Sequence, residues 1–139
     1  MIISEIASIL QLGQNVDIAF MVEATTKNKE NIKSLNKNIQ TFVDGVKLEF
    51  PNVIVRVAIV AYRDYSDKGK HLKVYGLTSN ISQVKAFLSN LKPSDKGSKT
   101  EDVLGAIEET LNLDWKSPNK HLFQMSKTIL IFMIHNKAF

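Results

Sequence analysis

The hydrophobic positions along this chain follow two alternating patterns. Three segments are almost entirely apolar and rich in β-branched residues, which is typical of strands buried on both faces of a sheet: Val16 to Val22, Val53 to Tyr62 and Thr128 to Ile134. A shorter segment of alternating character, Leu72 to Tyr75, predicts a further strand nearer an edge. Trp115 to Met125 has neither pattern and is expected to be a loop or short turn.

Elsewhere the apolar residues recur every three or four positions, which predicts amphipathic helices. The first helix is expected from Ile2 to Leu12 and the second from Lys29 to Phe50. Two further helices are each preceded by a match to a capping box, in which side chains bind the free N–H groups of the first turn. These matches are Asn80 with Gln83 and Ser98 with Glu101.

The order of these elements defines the expected fold class. Apolar strands that alternate with amphipathic helices predict an α/β domain with an open sheet covered on both faces. A chain of 139 residues suits one domain. We therefore expect a single unit over residues 1–139, with an N-terminal helix in residues 1–13 and the α/β core in residues 16–135.

Composition excludes several kinds of function. The chain has no cysteine, so a disulfide scaffold, a thiolate zinc site and a cysteine nucleophile are excluded. The net charge is +4, but the basic residues are mostly scattered lysines without interleaved aromatics, so no specific nucleic-acid binding is expected. No apolar run approaches the roughly 20 residues of a membrane span. Since the first residues also lack the basic region of a secretory signal, a cytoplasmic protein is expected.

Three stretches in register resemble the von Willebrand factor A (vWA) domain, in the branch found with alpha-kinases. Residues 16–25 are similar to the first strand and metal loop of that family. Residues 57–67, which include Tyr62-Arg63-Asp64-Tyr65, resemble its Gly-Tyr-Arg-Asp-Tyr stretch. Residues 101–115 resemble its Pro-Glu-Asp-Val and Leu-Asn-Leu-Asp-Trp segments. The resemblance runs from Val16 to His135.

The resemblance implies a doubly wound, mostly parallel, Rossmann-like sheet in the strand order 3-2-1-4, with one antiparallel strand at an edge. It also implies a Mg²⁺ site at the carboxyl ends of the strands. In the family, an Asp-x-Ser/Thr-x-Ser motif and residues of two later loops hold the ion, which then binds an acidic side chain of a partner. Oxygen ligands in octahedral geometry suit this hard cation.

Most positions of this implied metal site hold residues that ligate Mg²⁺ poorly. In the motif, a glutamate replaces the aspartate, a threonine fits the middle position and a lysine replaces the last serine. An ammonium group accepts no hydrogen bond and repels a divalent cation, so no cofactor is expected. The degenerate positions are Glu23, Thr25 and Lys27 in the motif, Ser98 and Lys99 in the later loop, and His135 after the last strand.

Several of these residues also have a purely structural interpretation. Glu23 and Lys27 form either a relic site, in which the ammonium replaces the ion, or an ordinary ion pair. Lys27, Lys29, Lys99 and His135 form either a cationic rim that attracts anions or a solvated loop face.

Two other features allow a binding and a structural interpretation. Arg63, Asp64 and Asp67 either bind a partner or hold their turn by local hydrogen bonds. Trp115 either anchors a partner or covers the core beside its helix.

The sequence therefore favours a non-catalytic protein–protein interaction or scaffold module that acts without metal in a larger assembly. The alternative is a Mg²⁺-dependent adhesion module, in which Glu23, Thr25 and an outside carboxylate such as Asp102 hold the ion. An enzyme is not expected, because the chain has no phosphate-binding glycine motif and no motif places a serine nucleophile beside His135.

The last predicted strand is the expected partner-binding surface. A complete vWA domain continues beyond its fourth strand, so this strand is expected to form an edge of the sheet. An apolar edge without charge or cover favours strand addition by another chain. We expect a protein partner or a second copy of the chain against it, unless the sequence is a fragment of a longer product. The edge residues are Ile129, Ile131, Phe132, Met133 and Ile134.

Overall fold

The computed structural model of the chain describes residues 15–64, 71–93 and 102–125, and the backbone of residues 133–135. A 3₁₀ turn over Thr26–Asn28 precedes the first described helix. The strands are β1 (Val16–Glu23), β2 (Val55–Tyr62), β3 (Leu72–Thr78), β4 (Asn119–Met125) and β5 (Met133–His135), and the helices are α1 (Lys29–Glu49), α2 (Ile81–Asn90) and α3 (Val103–Leu111).

The strands form one sheet in the order β3-β2-β1-β4-β5. The three central strands run parallel, while β3 and β5 are antiparallel to their neighbours. The pairing of β2 with β3 contains an irregularity between Val57 and Ile59. The predicted α/β class, the order 3-2-1-4 and the antiparallel edge strand are confirmed.

The residues assigned to the fourth strand were wrong. Asn119–Met125, expected to be a loop, pairs in parallel with β1 from Val16↔Asn119 to Val22↔Met125. Of the apolar segment expected there, residues 128–132 lie outside the described residues, and β5 (Met133–His135) pairs with β4 instead. Hydrophobicity misled the assignment because β4 carries polar residues such as Asn119 and His121, both buried.

Alternation along β1 divides the core between the two faces of the sheet. Val16, Ile18, Phe20 and Val22 face the side covered by α1 and α2. The Phe20 ring stacks on that of Phe123 in β4, with 5.8 Å between centroids. This larger cluster buries the apolar stripe of α1 that the sequence pattern predicted.

The opposite face of the sheet is covered by α3. Ala19 and Met21 of β1 belong to this second cluster, together with Tyr62 of β2 and Leu122 of β4. The helix contributes Ala106, which is fully buried. Of the helices that the structure describes, two therefore lie on one face of the sheet and one on the other.

The start of α2 confirms Asn80 as an N-cap but not the full capping box, because the Asn80 N–H donates to the Thr78 hydroxyl oxygen and Gln83 Oε1 accepts from the Tyr75 hydroxyl. The Asn80 side chain accepts a hydrogen bond from the backbone N–H of Gln83 at the start of α2. The N-cap of α3 is Asp102. The predicted cap at Ser98 and Glu101, like the predicted helix over Ile2 to Leu12, lies outside the described residues. In the described part of the chain, no helix is both long and apolar enough to cross a bilayer.

A buried carboxylate joins the amino ends of the strands. Asp17 is fully buried in β1 and accepts hydrogen bonds from Arg56 Nε at 2.9 Å and Arg56 Nη2 at 2.8 Å. It also accepts from the backbone N–H groups of Lys116 and Ser117, and from the Ser117 hydroxyl. One side chain therefore holds β1, β2 and the segment that leads into β4.

These hydrogen bonds decide the ionisation of Asp17. Burial removes water from the carboxylate and alone would raise its pKa. The hydrogen bonds from Arg56, Lys116 and Ser117 together outweigh burial, so the pKa of Asp17 lies below its ordinary value. Arg56 also donates to the backbone oxygen of Asp114 at 2.9 Å, so its guanidinium extends the same network.

Replacing Asp17 by asparagine is expected to destabilise the fold by about 3 kcal/mol near pH 7, because the partly buried Arg56 then loses its counter-charge. Because the pKa of Asp17 is lower in the folded state than in the unfolded state, where it is about 4, ionised Asp17 stabilises the fold at pH values above about 4. This stabilisation is lost as the pH falls through the lower pKa of the folded state. The difference in the free energy of unfolding between wild type and Asp17→Asn should therefore become smaller below about pH 4. Urea unfolding at several pH values measures both effects. A difference in the free energy of unfolding that does not change with pH would contradict the lowered pKa of Asp17.

Candidate functional site

The candidate site lies at the carboxyl ends of β1 and β2, where open α/β sheets bind their ligands. The N–H of Ala24 donates to the backbone oxygen of Tyr62 at 2.9 Å, which keeps the two chain segments together just past the strands. Beyond this point, the loop after β1 carries Glu23, Thr25 and Asn28, and the segment after β2 carries Arg63 and Asp64.

Glu23 and Thr25 are brought together as the resemblance implied, but they bind each other. The buried Thr25 hydroxyl donates to Glu23 Oε2 at 2.8 Å. Lys27 is exposed two residues later, as is Lys29. The expected ion pair between Glu23 and Lys27 is replaced by this hydrogen bond, since the 3₁₀ turn begins at Thr26 and Lys27 extends into solvent.

Asn28 holds the strand ends together, and the sequence analysis missed it. Its fully buried side chain donates through Nδ2 to the backbone oxygen of Glu23 at 2.9 Å and to that of Met125 at 3.1 Å. Its Oδ1 accepts from Asn31 Nδ2 at 2.9 Å. An amide can bridge two carbonyls in this way because its nitrogen carries two hydrogens. A polar residue at the end of a short turn that follows a buried strand was the available signal.

Asp102 joins α3 to the strands on the other side of the site. Its Oδ1 accepts from the N–H of Gly105 at 2.8 Å, and its Oδ2 lies 3.3 Å from His71 Nε2. Its own N–H donates to the backbone oxygen of Arg63, whose N–H donates to that of His71. Asp102 as a whole is only 3% exposed. Its negative charge at the start of α3 is stabilised by the N–H groups of the first turn.

The polar residues after β2 have structural partners. Arg63 and Asp64 are both buried, and Arg63 Nη2 donates to the backbone oxygen of Lys92. Asp67 lies outside the described residues. Trp115 packs against the α3-side core, and its Nε1 donates to the backbone oxygen of Thr110 at 2.8 Å. For these residues, the structural interpretation is the one that the geometry supports.

The structure does not place His135 at this site. Its backbone pairs with His121, which in turn pairs with Ile18 near the start of β1. His135 therefore lies level with the amino-terminal half of β1 and one strand beyond β4, because β4 and not β5 is the strand beside β1. The strand beside β1 ends at Met125, so the position that the resemblance assigned to His135 follows Met125 in this chain. Ser98 and Lys99 lie outside the described residues.

The described groups at this edge are arranged to hold loops together. Within residues 15–64, 71–93 and 102–125, no three histidine or carboxylate side chains come together as a metal-binding group. Glu23 and Asp102, the two acids that the alternative hypothesis invoked, each already accept a hydrogen bond from the protein. A cation held by these two acids would have to displace both hydrogen bonds.

The fold and this edge define an α/β protein with a parallel centre and hydrogen-bonded loops at the carboxyl ends of its strands. Comparison with known proteins identifies no relative, since no protein-family model, curated protein or solved structure matches the chain. The resemblance to vWA domains therefore rests on the sequence stretches described above.

Two glycines test the cap of α3, because alanine is expected to have opposite effects on the stability of the protein at the two positions. A Cβ atom on Gly105 would lie 2.7 Å from Cγ and 2.8 Å from Oδ1 of Asp102, whereas a Cβ on Gly45 in α1 would meet nothing within 4 Å. Gly45→Ala should stabilise the protein by about 0.5–1 kcal/mol through helix propensity. Gly105→Ala should destabilise it by about 1–2 kcal/mol, because the buried carboxylate must give up the cap. Thermal unfolding of both variants checks this, and a stabilised Gly105→Ala would contradict the described geometry.

Proposed function

We propose that this chain is a non-catalytic protein–protein interaction or scaffold module of the doubly wound vWA type, and that it acts without a metal ion. The observation that carries the metal-free part is the hydrogen bond from Thr25 to Glu23. A ligating hydroxyl would turn its lone pairs toward the ion and its hydrogen away. Here the hydroxyl donates to the one carboxylate of the motif, and Lys27 stands in the place of the last serine, so the motif positions offer only two side chains that could ligate a cation.

The second carboxylate near this edge supports the same proposal. Asp102 is committed to the start of α3 and to His71, and its burial makes it costly to leave those groups unpaired. His71 and Asp102 join the start of β3 to α3, a role that explains the pair without proton transfer. The proposed module therefore uses its ionisable groups to fix loops, and catalysis is not part of its function.

A magnesium titration separates this proposal from the adhesion alternative, in which Glu23, Thr25 and Asp102 would hold the ion. A cation that binds only the folded state must raise the melting temperature, by mass action. We expect no shift in Tm at millimolar Mg²⁺ for the wild type. Thr25→Val serves as the matched control, because it removes the hydroxyl while it keeps the shape. A rise in Tm that Thr25→Val abolishes would establish the adhesion alternative.

The interaction surface in this proposal is the side of the sheet that ends with β5. β5 is the outermost described strand there and pairs with three β4 residues, from His121 to Phe123. The outer N–H and C=O groups of an edge strand can pair with a strand of another chain. A protein partner or a second copy of this chain is the proposed occupant, and the second copy is the version that the isolated protein can test.

A lysine on this edge is expected to weaken the association. Charged residues on an edge strand oppose strand addition, because pairing would bury the charge. Ile134→Lys should reduce the association constant by about 10-fold or more, while Val74→Lys on the opposite edge strand should leave it unchanged. Val74 is 40% exposed, so this control is tolerated. Sedimentation at micromolar concentration measures both variants, and a wild type that stays a stable monomer would contradict the proposed edge interface.

A further inference from the structure

The packing of α1 against α2 gathers lysines that are scattered along the sequence. Asn36 of α1 donates through Nδ2 to the Ser89 hydroxyl at 2.8 Å and to the backbone oxygen of Lys85 at 3.4 Å, so the two helices lie side by side at this point. Lysines lie around this contact on both helices and in the turns that adjoin them. We call the following six residues the lysine surface: Lys27, Lys29, Lys33, Lys37, Lys85 and Lys92.

Three of these lysines form a row along the first half of α1. Lys29, Lys33 and Lys37 follow one another at intervals of four residues, which places them on one side of the helix. The apolar stripe of α1, which includes Ile32 and Ile39, packs into the core. The row lies outside this stripe, and all three lysines are exposed.

The direction of α2 brings its end beside this row. α2 follows β3, whose Thr78 pairs with Val57 near the amino end of β2, and it leads to Lys92, whose backbone oxygen accepts from Arg63 just past the carboxyl end of β2. It therefore runs from the amino edge to the carboxyl edge of the sheet. α1 follows β1 and runs in the opposite direction, so the end of α2 lies level with the first half of α1.

The remaining lysines complete the surface at the carboxyl edge. Lys27 is exposed in the 3₁₀ turn before α1, and Lys92 is exposed after α2. Lys85 is half-buried beside Asn36, where the two helices touch. Four separate stretches of the chain thus contribute lysines to one side of the fold.

The neighbouring acids leave the lysine surface with a positive charge. Among the described residues, two glutamates lie on the same stretch of chain: Glu30, whose Oε1 is 3.8 Å from Lys33 Nζ, and Glu23, which accepts from Thr25. By contrast, α3 on the opposite face carries two glutamates and no basic residue. A surface with an excess of one sign of charge attracts ligands of the opposite sign.

The composition of the lysine surface indicates which anion it suits. A protein interface usually has an apolar centre in which lysine is depleted, and stable membrane anchoring needs a second, apolar signal. Single-stranded nucleic acid needs aromatic side chains for base stacking. The backbone of a duplex needs only positive charges and small donors such as the exposed Ser89 and Asn90. The large apolar side chains that are exposed in the described residues lie elsewhere, at Leu48, Ile54, Val74, Leu104 and Leu111.

The size of the lysine surface also suits a duplex. The row from Lys29 to Lys37 is about 12 Å long, and packed helices lie about 8–10 Å apart. A duplex carries one phosphate charge per about 1.7 Å of its axis, hence about seven over this length. About half of them face one side, so we expect about four contacts. The lysine ammonium is a compact point charge, which contacts phosphate without the fixed geometry that base reading requires.

We propose that the lysine surface binds the phosphodiester backbone of a nucleic-acid duplex without sequence preference. The lysines hold phosphates, and no base is read, in agreement with the scarcity of arginine in the sequence. This binding goes beyond the interaction module proposed above and does not depend on the edge at β5.

Fluorescence anisotropy of the full-length protein with short labelled DNA duplexes of two unrelated sequences tests the proposal. Both duplexes should bind equally, with a Kd of about 10⁻⁴–10⁻⁶ M near physiological salt. The logarithm of the association constant should fall with the logarithm of the salt concentration with a slope of about −4. An RNA duplex of the same sequence identifies which kind of backbone binds more tightly, and binding of either kind agrees with the proposal.

A pair of matched double variants locates the binding on the protein. Lys29→Gln with Lys37→Gln should weaken binding by at least about 10-fold at low salt and reduce the steepness of the salt dependence by about 2. Lys47→Gln with Lys73→Gln removes the same charge from exposed positions at the end of α1 and on β3, and should change binding much less. Thermal unfolding verifies that both variants are folded.

Three results would overturn the proposal. The first is a wild type that binds no duplex at low salt, and the second is equal weakening by the two double variants, which would reduce the effect to net charge. The third is tighter binding to phosphatidylserine vesicles or to polyglutamate than to either duplex, lost in Lys29→Gln with Lys37→Gln. That result would assign the lysine surface to a membrane or to an acidic protein.

Discussion

The carboxylate of Asp17 is the group on which the arrangement of this fold depends most. It is fully buried, and it accepts hydrogen bonds from β2 through Arg56 and from the approach to β4 through Lys116 and Ser117. A buried charge without partners would cost several kcal/mol, so only the chain arrangement that supplies all of these donors is favourable. The interaction therefore selects which segment lies beside β1 and in which register.

The two ends of the sheet are fixed by different chemistry. At the amino end, the charge of Asp17 is neutralised by a guanidinium. At the carboxyl end, the neutral amide of Asn28 joins β1 to β4, and the Asp102 carboxylate joins α3 to β3. Since each of these groups is engaged within the chain, the described residues at the carboxyl end present few open ligands.

The periodicity of hydrophobic residues was sufficient to predict the strands and the helix that are buried mainly through apolar side chains. β1, β2 and α1 begin and end within two residues of their predicted limits, because most of their buried side chains are apolar and pack in the core. It failed at β4, where Asn119 and His121 are buried among polar and aromatic partners that no local pattern reveals. Because the fourth strand was assigned to the wrong residues, His135 was also predicted at the candidate site, where the structure does not place it. Asp17 was missed because its partners Lys116 and Ser117 lie about a hundred residues away, beyond any sequence window.

The irregular register between β2 and β3 has a consequence for how far an assembly can grow. A bulged edge with exposed Lys73 resists further strand addition on that side. A sheet that can extend on one side only forms a closed pair when two copies meet through the same edge, because each copy then caps the other. Extension on both sides would instead permit open-ended fibres. The distortion near Val57 thus limits any sheet built through β5 to a finite size.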